Sequence, residues 1–185
     1  MGQRIGLSFM DVKTANDLYQ CSAHCSNSIK CNNGGVVGPD CTCLCPWGLS
    51  GYNCDDVKYS TADCGGVLRQ QDGSISSPGY PNRYHDDTTC HWLILGPPGS
   101  TIKLWFNHFE MEEDYEGPCD YDWLEVRTLG PHLAGLKLCG SGPSTSLDYP
   151  GNALYLRFHC DESYSEYSGF EAGYSISGGY NDYDW

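Results

Sequence analysis

The sequence has few positive charges and no long apolar runs. It contains 10 Lys and Arg against 24 Asp and Glu, which gives a formal net charge of -14. A chain this acidic repels phosphate backbones, so we expect no nucleic-acid partner. No apolar run approaches the roughly 18–20 residues of a membrane-spanning helix, so no membrane span is expected either.

The common catalytic motifs are also missing. The sequence has no His-Glu-x-x-His zinc motif, no Gly-x-Ser-x-Gly elbow and no Gly-x-x-x-x-Gly-Lys phosphate loop. A catalytic site assembled from distant residues stays open as an alternative. We nevertheless expect this chain not to be an enzyme.

Cysteine, in contrast, is abundant. Twelve cysteines in 185 residues are typical of a disulfide framework formed in an oxidising compartment. This composition predicts a secreted, extracellular protein. The first eight residues are too polar for a signal peptide, so we expect the chain to be part of a longer protein.

Cysteine spacing and charge divide the chain into segments. We predict an N-terminal segment over 1–21, a cysteine-rich module over 22–56, a linker over 57–63, a larger domain over 64–178 and an acidic, tyrosine-rich tail over 179–185. The cysteine-rich module has too few apolar residues to build a core, so crosslinks must stabilise it.

The N-terminal segment predicts one short amphipathic helix. Ser8 and Asp11 have the spacing of a capping box. Four apolar residues then fall on one helical face, namely Val12, Ala15, Leu18 and Tyr19. A helix of about three turns is not stable alone in water, so it needs a body to pack on.

The larger domain predicts β-strands. Apolar residues alternate with polar ones in three runs, namely Ile102, Leu104 and Phe106; Leu154, Leu156 and Phe158; and Phe170, Ala172, Tyr174 and Ile176. Gly and Pro clusters separate the runs, which favours an antiparallel β-sandwich.

The cysteine-rich module resembles the EGF-like family. The resemblance rests on Cys31-Asn-Asn-Gly-Gly, Cys43-Leu-Cys45 and the eight-residue loop between Cys45 and Cys54. The family pairing implies the disulfides Cys25–Cys41, Cys31–Cys43 and Cys45–Cys54. The acidic calcium motif of some EGF modules is absent before Cys25, so we expect a calcium-free spacer. A zinc site made from these thiols is the rival interpretation.

The larger domain resembles the CUB family. The resemblance rests on Cys64-Gly-Gly, Ser77-Pro-Gly-Tyr-Pro, Cys90-His-Trp, Cys119-Asp-Tyr-Asp and Leu138-Cys-Gly. It implies a mainly β, jelly-roll-like antiparallel β-sandwich with disulfides Cys64–Cys90 and Cys119–Cys139.

The CUB resemblance also implies a calcium site. The family's ligands correspond to Glu112, Asp122 and Asp161, with Ser163 adding a backbone carbonyl and Tyr84 supporting the site. Carboxylate oxygens suit calcium. The alternative is a solvated acidic edge. Bound calcium in this family presents an acidic residue to a partner, so we expect an extracellular protein with a basic Lys/Arg patch as partner.

Two cysteines have no partner in these schemes. They are Cys21 and Cys160. Three alternatives stay open for them: a bond with each other, bonds to other parts of a longer chain, or free thiols. A strained loop at Cys160 would weaken the calcium site, because Asp161 is the next residue.

The N-terminal segment resembles the end of the peptidase domain of astacin-family zinc metalloendopeptidases. The resemblance rests on Gly2 to Ser8, Asp11 and Asn16 to Cys21. It implies a non-catalytic ancillary region of a secreted protease, with an upstream peptidase domain as a further partner and with zinc only in that missing domain. The alternative is a standalone secreted EGF–CUB adhesion or ligand-binding protein.

Overall fold

One helix and thirteen strands form within residues 6–114, 117–162 and 166–179, which are the residues that the computed structural model describes. The elements in chain order are α1 (Phe9–Tyr19), β1 (Val36–Val37), β2 (Cys43–Leu44), β3 (Leu49–Ser50), β4 (Asp56–Val57), β5 (Gly66–Leu68), β6 (Asp72–Ser76), β7 (Thr89–Leu95), β8 (Ser100–Glu110), β9 (Trp123–Arg127), β10 (Leu136–Leu138), β11 (Leu147–Tyr149), β12 (Ala153–His159) and β13 (Gly169–Gly178).

Two sheets form the sandwich of the larger domain. One sheet has five strands in the order β10-β9-β12-β7-β5, and the other has four in the order β11-β8-β13-β6. The fold is therefore mainly β with antiparallel sheets, as predicted. One pairing differs, because β5 runs parallel to β7.

The alternating residues fill the space between the sheets. Ile102 and Leu104 on β8, Leu156 on β12 and Phe170 on β13 have no exposed surface. They belong to one apolar cluster contributed by both sheets. The period of two predicted from the sequence thus corresponds to the inward face of each strand.

Helix α1 begins with the predicted capping box. The Ser8 hydroxyl accepts a hydrogen bond from the Asp11 amide, and the Asp11 carboxylate accepts one from the Ser8 amide. The apolar face is not what anchors the helix, because Leu18 and Tyr19 are 72% and 76% exposed. Asn16 is buried instead, and its amide donates to the Val37 carbonyl of the cysteine-rich module.

The cysteine-rich module consists of two small hairpins, β1–β2 and β3–β4. Five disulfides are present in the described residues, namely Cys25–Cys41, Cys31–Cys43, Cys45–Cys54, Cys64–Cys90 and Cys119–Cys139. They are the pairs implied by the two family resemblances. Cys21 and Cys160 form no disulfide with each other or with any other described residue.

Candidate metal centre

The strand order brings three acidic residues to one end of the sandwich. Glu112 follows the end of β8, Asp122 directly precedes β9, and Asp161 follows the end of β12. β12 pairs antiparallel with β9, so the end of one strand meets the start of the other. Residues that are far apart in sequence therefore converge at this edge.

The three carboxylates form a compact cluster. Glu112, Asp122 and Asp161 each offer an oxygen, and these oxygens all lie within 4.8 Å of one another. Asp122 is only 1% exposed. Ser163, the fourth predicted ligand, lies outside the described residues.

Tyr84 supports the cluster through hydrogen bonds. Its hydroxyl donates to Asp122 Oδ2 at 2.6 Å and accepts from the Glu112 amide at 3.3 Å. The Asp161 amide donates to Asp122 Oδ1 at 3.0 Å. Asp122 is thus held by neutral donors on both oxygens, and the tyrosine hydroxyl links it to the Glu112 backbone.

Electrostatic repulsion acts within the cluster. Burial is the largest cause that raises the pKa of Glu112, and the negative charges of Asp122, Asp161 and Asp114 raise it further. Converged carboxylates repel one another unless a cation or a proton lies between them. A bound divalent cation would relieve this repulsion.

The donor set fits calcium. Calcium takes six to eight hard oxygen ligands, which carboxylates, backbone carbonyls and water supply. Glu112, Asp122 and Asp161 provide only oxygens, with no imidazole or thiolate among them. The residues present therefore match calcium rather than a softer metal such as zinc.

Cys160 lies beside the cluster without disrupting it. The residue is fully buried, and its amide donates to the Thr88 carbonyl at 2.9 Å. Burial is the largest cause that raises the pKa of this thiol, and the nearby Asp122 carboxylate adds to it. Cys160 is thus a neutral buried thiol, and the neighbouring Asp161 still reaches the cluster.

A second group of potential ligands lies in the cysteine-rich module. It contains His24, Cys25 and Cys41. Cys25 and Cys41 are bonded to each other, and the other four cysteines of the module are also in disulfides. A disulfide sulfur is not a thiolate ligand, so the zinc interpretation of these cysteines is wrong for the described structure.

Sequence reasoning missed one contact group on the sandwich. Ser168 Oγ lies 2.7 Å from His108 Nε2 and donates to Glu110 Oε2 at 2.7 Å. In a catalytic triad the carboxylate holds the opposite ring nitrogen of the histidine. Here the carboxylate binds the serine directly, so the group does not have the geometry of a triad. No period or spacing in the sequence signals it.

Among the described residues, no helix combines the length and the apolar character that crossing a membrane requires.

Comparison with known proteins agrees with this fold. A family model described as CUB domain matches residues 64–174. The crystal structure of the MASP-1 CUB2 domain bound to Ca2+ is similar, with a TM-score of 0.51 and 28% identity, and the match covers 59% of this chain and 96% of that chain.

The sequence relatives are proteases. The chain is 38% identical over 179 residues to Blastula protease 10 of Paracentrotus lividus, a match that covers 95% of this chain and 30% of that protein. It is 36% identical over 180 residues to zinc metalloproteinase dpy-31 of Haemonchus contortus, covering 93% and 32%. The chain thus spans about a third of the length of the curated relatives it matches. The chain belongs to the CUB-domain family, and nearly all of it resembles the CUB-containing part of astacin-family zinc metalloproteinases.

Proposed function

We propose that this chain is the non-catalytic EGF–CUB ancillary region of a secreted astacin-type zinc metalloendopeptidase. In this role it binds protein through a calcium-dependent surface and so positions the protease. The observation that carries the proposal is the convergence of Glu112, Asp122 and Asp161 at one end of the sandwich.

Calcium at this end would connect three segments of the chain. Glu112, Asp122 and Asp161 would hold the ion, and Tyr84 would keep Asp122 in place through its short hydrogen bond. The ion would supply positive charge and would fix the loops that carry its ligands. The chain's own residues would then form an ordered surface for a partner.

The partner proposed for this surface is an extracellular protein with exposed Lys or Arg. The chain has a net charge of -14, and Glu110, whose side chain is 57% exposed, lies two residues before Glu112 in the sequence. Opposite charge accelerates the encounter of two proteins and disfavours wrong partners. A basic surface therefore fits this end better than a neutral one.

Catalysis would belong to another part of the protease. This sequence contains no His-Glu-x-x-His motif, which supplies two zinc ligands and the general base in that type of enzyme. Zinc is therefore proposed for the peptidase domain and not for this chain.

The calcium proposal is tested by thermal unfolding of the full chain with calcium and with EGTA. Calcium at about 100 times its Kd stabilises the folded state by about 2.7 kcal/mol. For a chain of this size that corresponds to a rise in Tm of roughly 5–10 °C. We expect Asp161→Asn to lose most of the rise.

The matched control is Asp148→Asn, which removes the charge of an exposed aspartate on β11. This variant should keep the full calcium response. Equal melting temperatures in calcium and EGTA for the wild-type chain would refute the calcium site.

A further inference from the structure

The cysteine-rich module sits on the outer face of the five-stranded sheet. Leu49, at the start of β3, is 2% exposed and packs with Leu93, Ala153 and Tyr155. These three residues lie on β7 and β12 of the sandwich. Both modules thus contribute to a second, smaller core that either module alone would leave open to water.

A ladder of alternating aromatic and cationic side chains crosses the same boundary. The guanidinium of Arg157 lies between two indole rings, 4.0 Å from the Trp47 centroid and 4.7 Å from the Trp123 centroid. Lys137 continues the ladder at 4.4 Å from the Trp123 ring. Trp47 belongs to the cysteine-rich module, whereas the other three residues belong to the sandwich.

The rings are what hold Arg157. Its Nε is buried and makes no hydrogen bond to any described residue. Glu125 faces Arg157 across the β9–β12 pair, but its carboxylate accepts hydrogen bonds from Arg127 and from the Gly135 amide. Removal of the Trp47 ring would therefore uncover one face of a charge that Glu125 attracts but that forms no ion pair among the described residues.

Arg127 ties the backbones of the two modules together. Its Nη1 donates to the Trp47 carbonyl and to the Pro131 carbonyl, both at 2.7 Å. Its Nε donates to Glu125 at 3.0 Å, and the two side chains are 7% and 12% exposed. Hydrogen bonds from a charged donor are stronger than neutral ones. The low exposure of the Arg127 side chain also limits the access of water to these bonds.

Gly48 allows the close approach of the two modules. Its φ is +93°, and a side chain at this position would collide with the Tyr155 hydroxyl.

The linker over 57–63 is also attached to the sandwich. The His91 amide donates to Ser60 Oγ at 3.1 Å, and the Thr61 amide donates to the Thr89 carbonyl at 2.9 Å.

We infer that the EGF-like module and the CUB domain form one rigid body in solution, and that the stack of Trp47 on Arg157 holds the two together. Modules in one chain move relative to each other unless their interface is well packed and apolar. This interface combines an apolar core, a stacked cation and buried hydrogen bonds. It keeps the EGF-like module at a constant orientation to the carboxylate cluster, whether or not calcium binds there.

The test compares the tumbling of the two modules in the full chain by 15N NMR relaxation. In the wild-type chain both modules should report one rotational correlation time. In Trp47→Ala the EGF-like module should tumble faster than the CUB domain, and the radius of gyration from X-ray scattering should increase. Two correlation times in the wild-type chain, or one in Trp47→Ala, would overturn the inference.

A matched control and a second variant separate loosening from misfolding. Tyr52→Ala removes an aromatic ring from the segment that the Cys45–Cys54 disulfide closes, which also contains Trp47. Tyr52 is 79% exposed, so this variant should tumble as the wild type does. Gly48→Ala should loosen the modules through a different contact. If Tyr52→Ala separated the correlation times of the two modules as much as Trp47→Ala does, the Trp47–Arg157 stack would not be what holds the modules together.

The same samples distinguish this inference from the calcium proposal. Trp47→Ala should keep the calcium-dependent rise in Tm, because its changes lie on the outer sheet face and not at the carboxylate cluster. Asp161→Asn should keep one correlation time. Two correlation times in Asp161→Asn would contradict an interface between the modules that is independent of calcium.

Discussion

We expect His91 to make the stability of this protein depend on pH. The residue lies on β7 and is 4% exposed, and its Nδ1 is 2.6 Å from the Tyr155 hydroxyl. Burial is the largest cause that lowers its pKa from the usual 6.5 to about 4. The positive charges of Arg157, Lys58 and Arg127 lower it further. The folded state therefore favours the neutral imidazole.

The expected loss of stability follows from linkage. Between about pH 6.5 and pH 4 the unfolded chain binds a proton at His91 that the folded chain does not bind. The free energy of unfolding must then fall as the pH falls through this window, and it should be unaffected by His91 above it. At about 1.4 kcal/mol for each pH unit of pKa difference, the loss is about 3 kcal/mol. That is a large part of the roughly 5–15 kcal/mol of a typical domain.

The assay is urea unfolding in EGTA at several pH values across this window. Carboxylates also titrate there, so the informative quantity is the difference between the wild-type chain and His91→Gln. The variant should lose about 3 kcal/mol less stability over the window than the wild type. His85→Gln, which replaces an exposed histidine, should follow the wild-type curve.

An NMR titration of the His91 ring measures the same quantity directly. A midpoint near pH 4 is expected. A midpoint near 6.5, or an identical pH dependence in His91→Gln and the wild type, would refute the reasoning.

Two further substitutions test the support of the cluster and the core. Tyr84→Phe removes the donor to the buried Asp122 carboxylate, so the free energy of urea unfolding should fall by about 1–3 kcal/mol; an unchanged value would show that the hydroxyl is dispensable. Leu156→Ala opens a cavity at a fully buried position and should cost about 2–5 kcal/mol. Leu136→Ala, at a position that is 55% exposed, should cost much less, and equal losses would contradict the assigned core.

Part of this structure could be predicted from local sequence patterns. Ser8 and Asp11 form the predicted capping box because its hydrogen bonds join residues three apart. Leu156 and Phe158 are buried as predicted because the two faces of a strand alternate regardless of what packs on them.

The disulfide pairs and the carboxylate cluster followed from family resemblance. No spacing in the sequence relates Glu112, Asp122 and Asp161, because each lies on a different segment. The resemblance named the three residues in advance, and the strand order explains why their oxygens meet. Calcium at this cluster stays a prediction until its binding is measured.

The contact between the modules could not be predicted from the sequence. Trp47 and Arg157 are far apart along the chain, and a stacked cation leaves no periodic signal. The way in which α1 packs could not be predicted from its apolar spacing either. Leu18 and Tyr19 have helical spacing but are exposed, and Asn16 anchors the helix instead. The pKa of His91 likewise depends on which charges the fold brings near it.

The sequence alone thus determined the start of helix α1 and the inward faces of β8, β12 and β13, because those depend on neighbouring residues. Tertiary structure decided which distant side chains share an environment. That choice depends on strand order, on the pairing of β5 with β7 and on the packing of the cysteine-rich module against the sheet. The carboxylate cluster and the Trp47–Arg157 stack both arise at that level, because each joins residues that only the packed chain brings within a few ångströms.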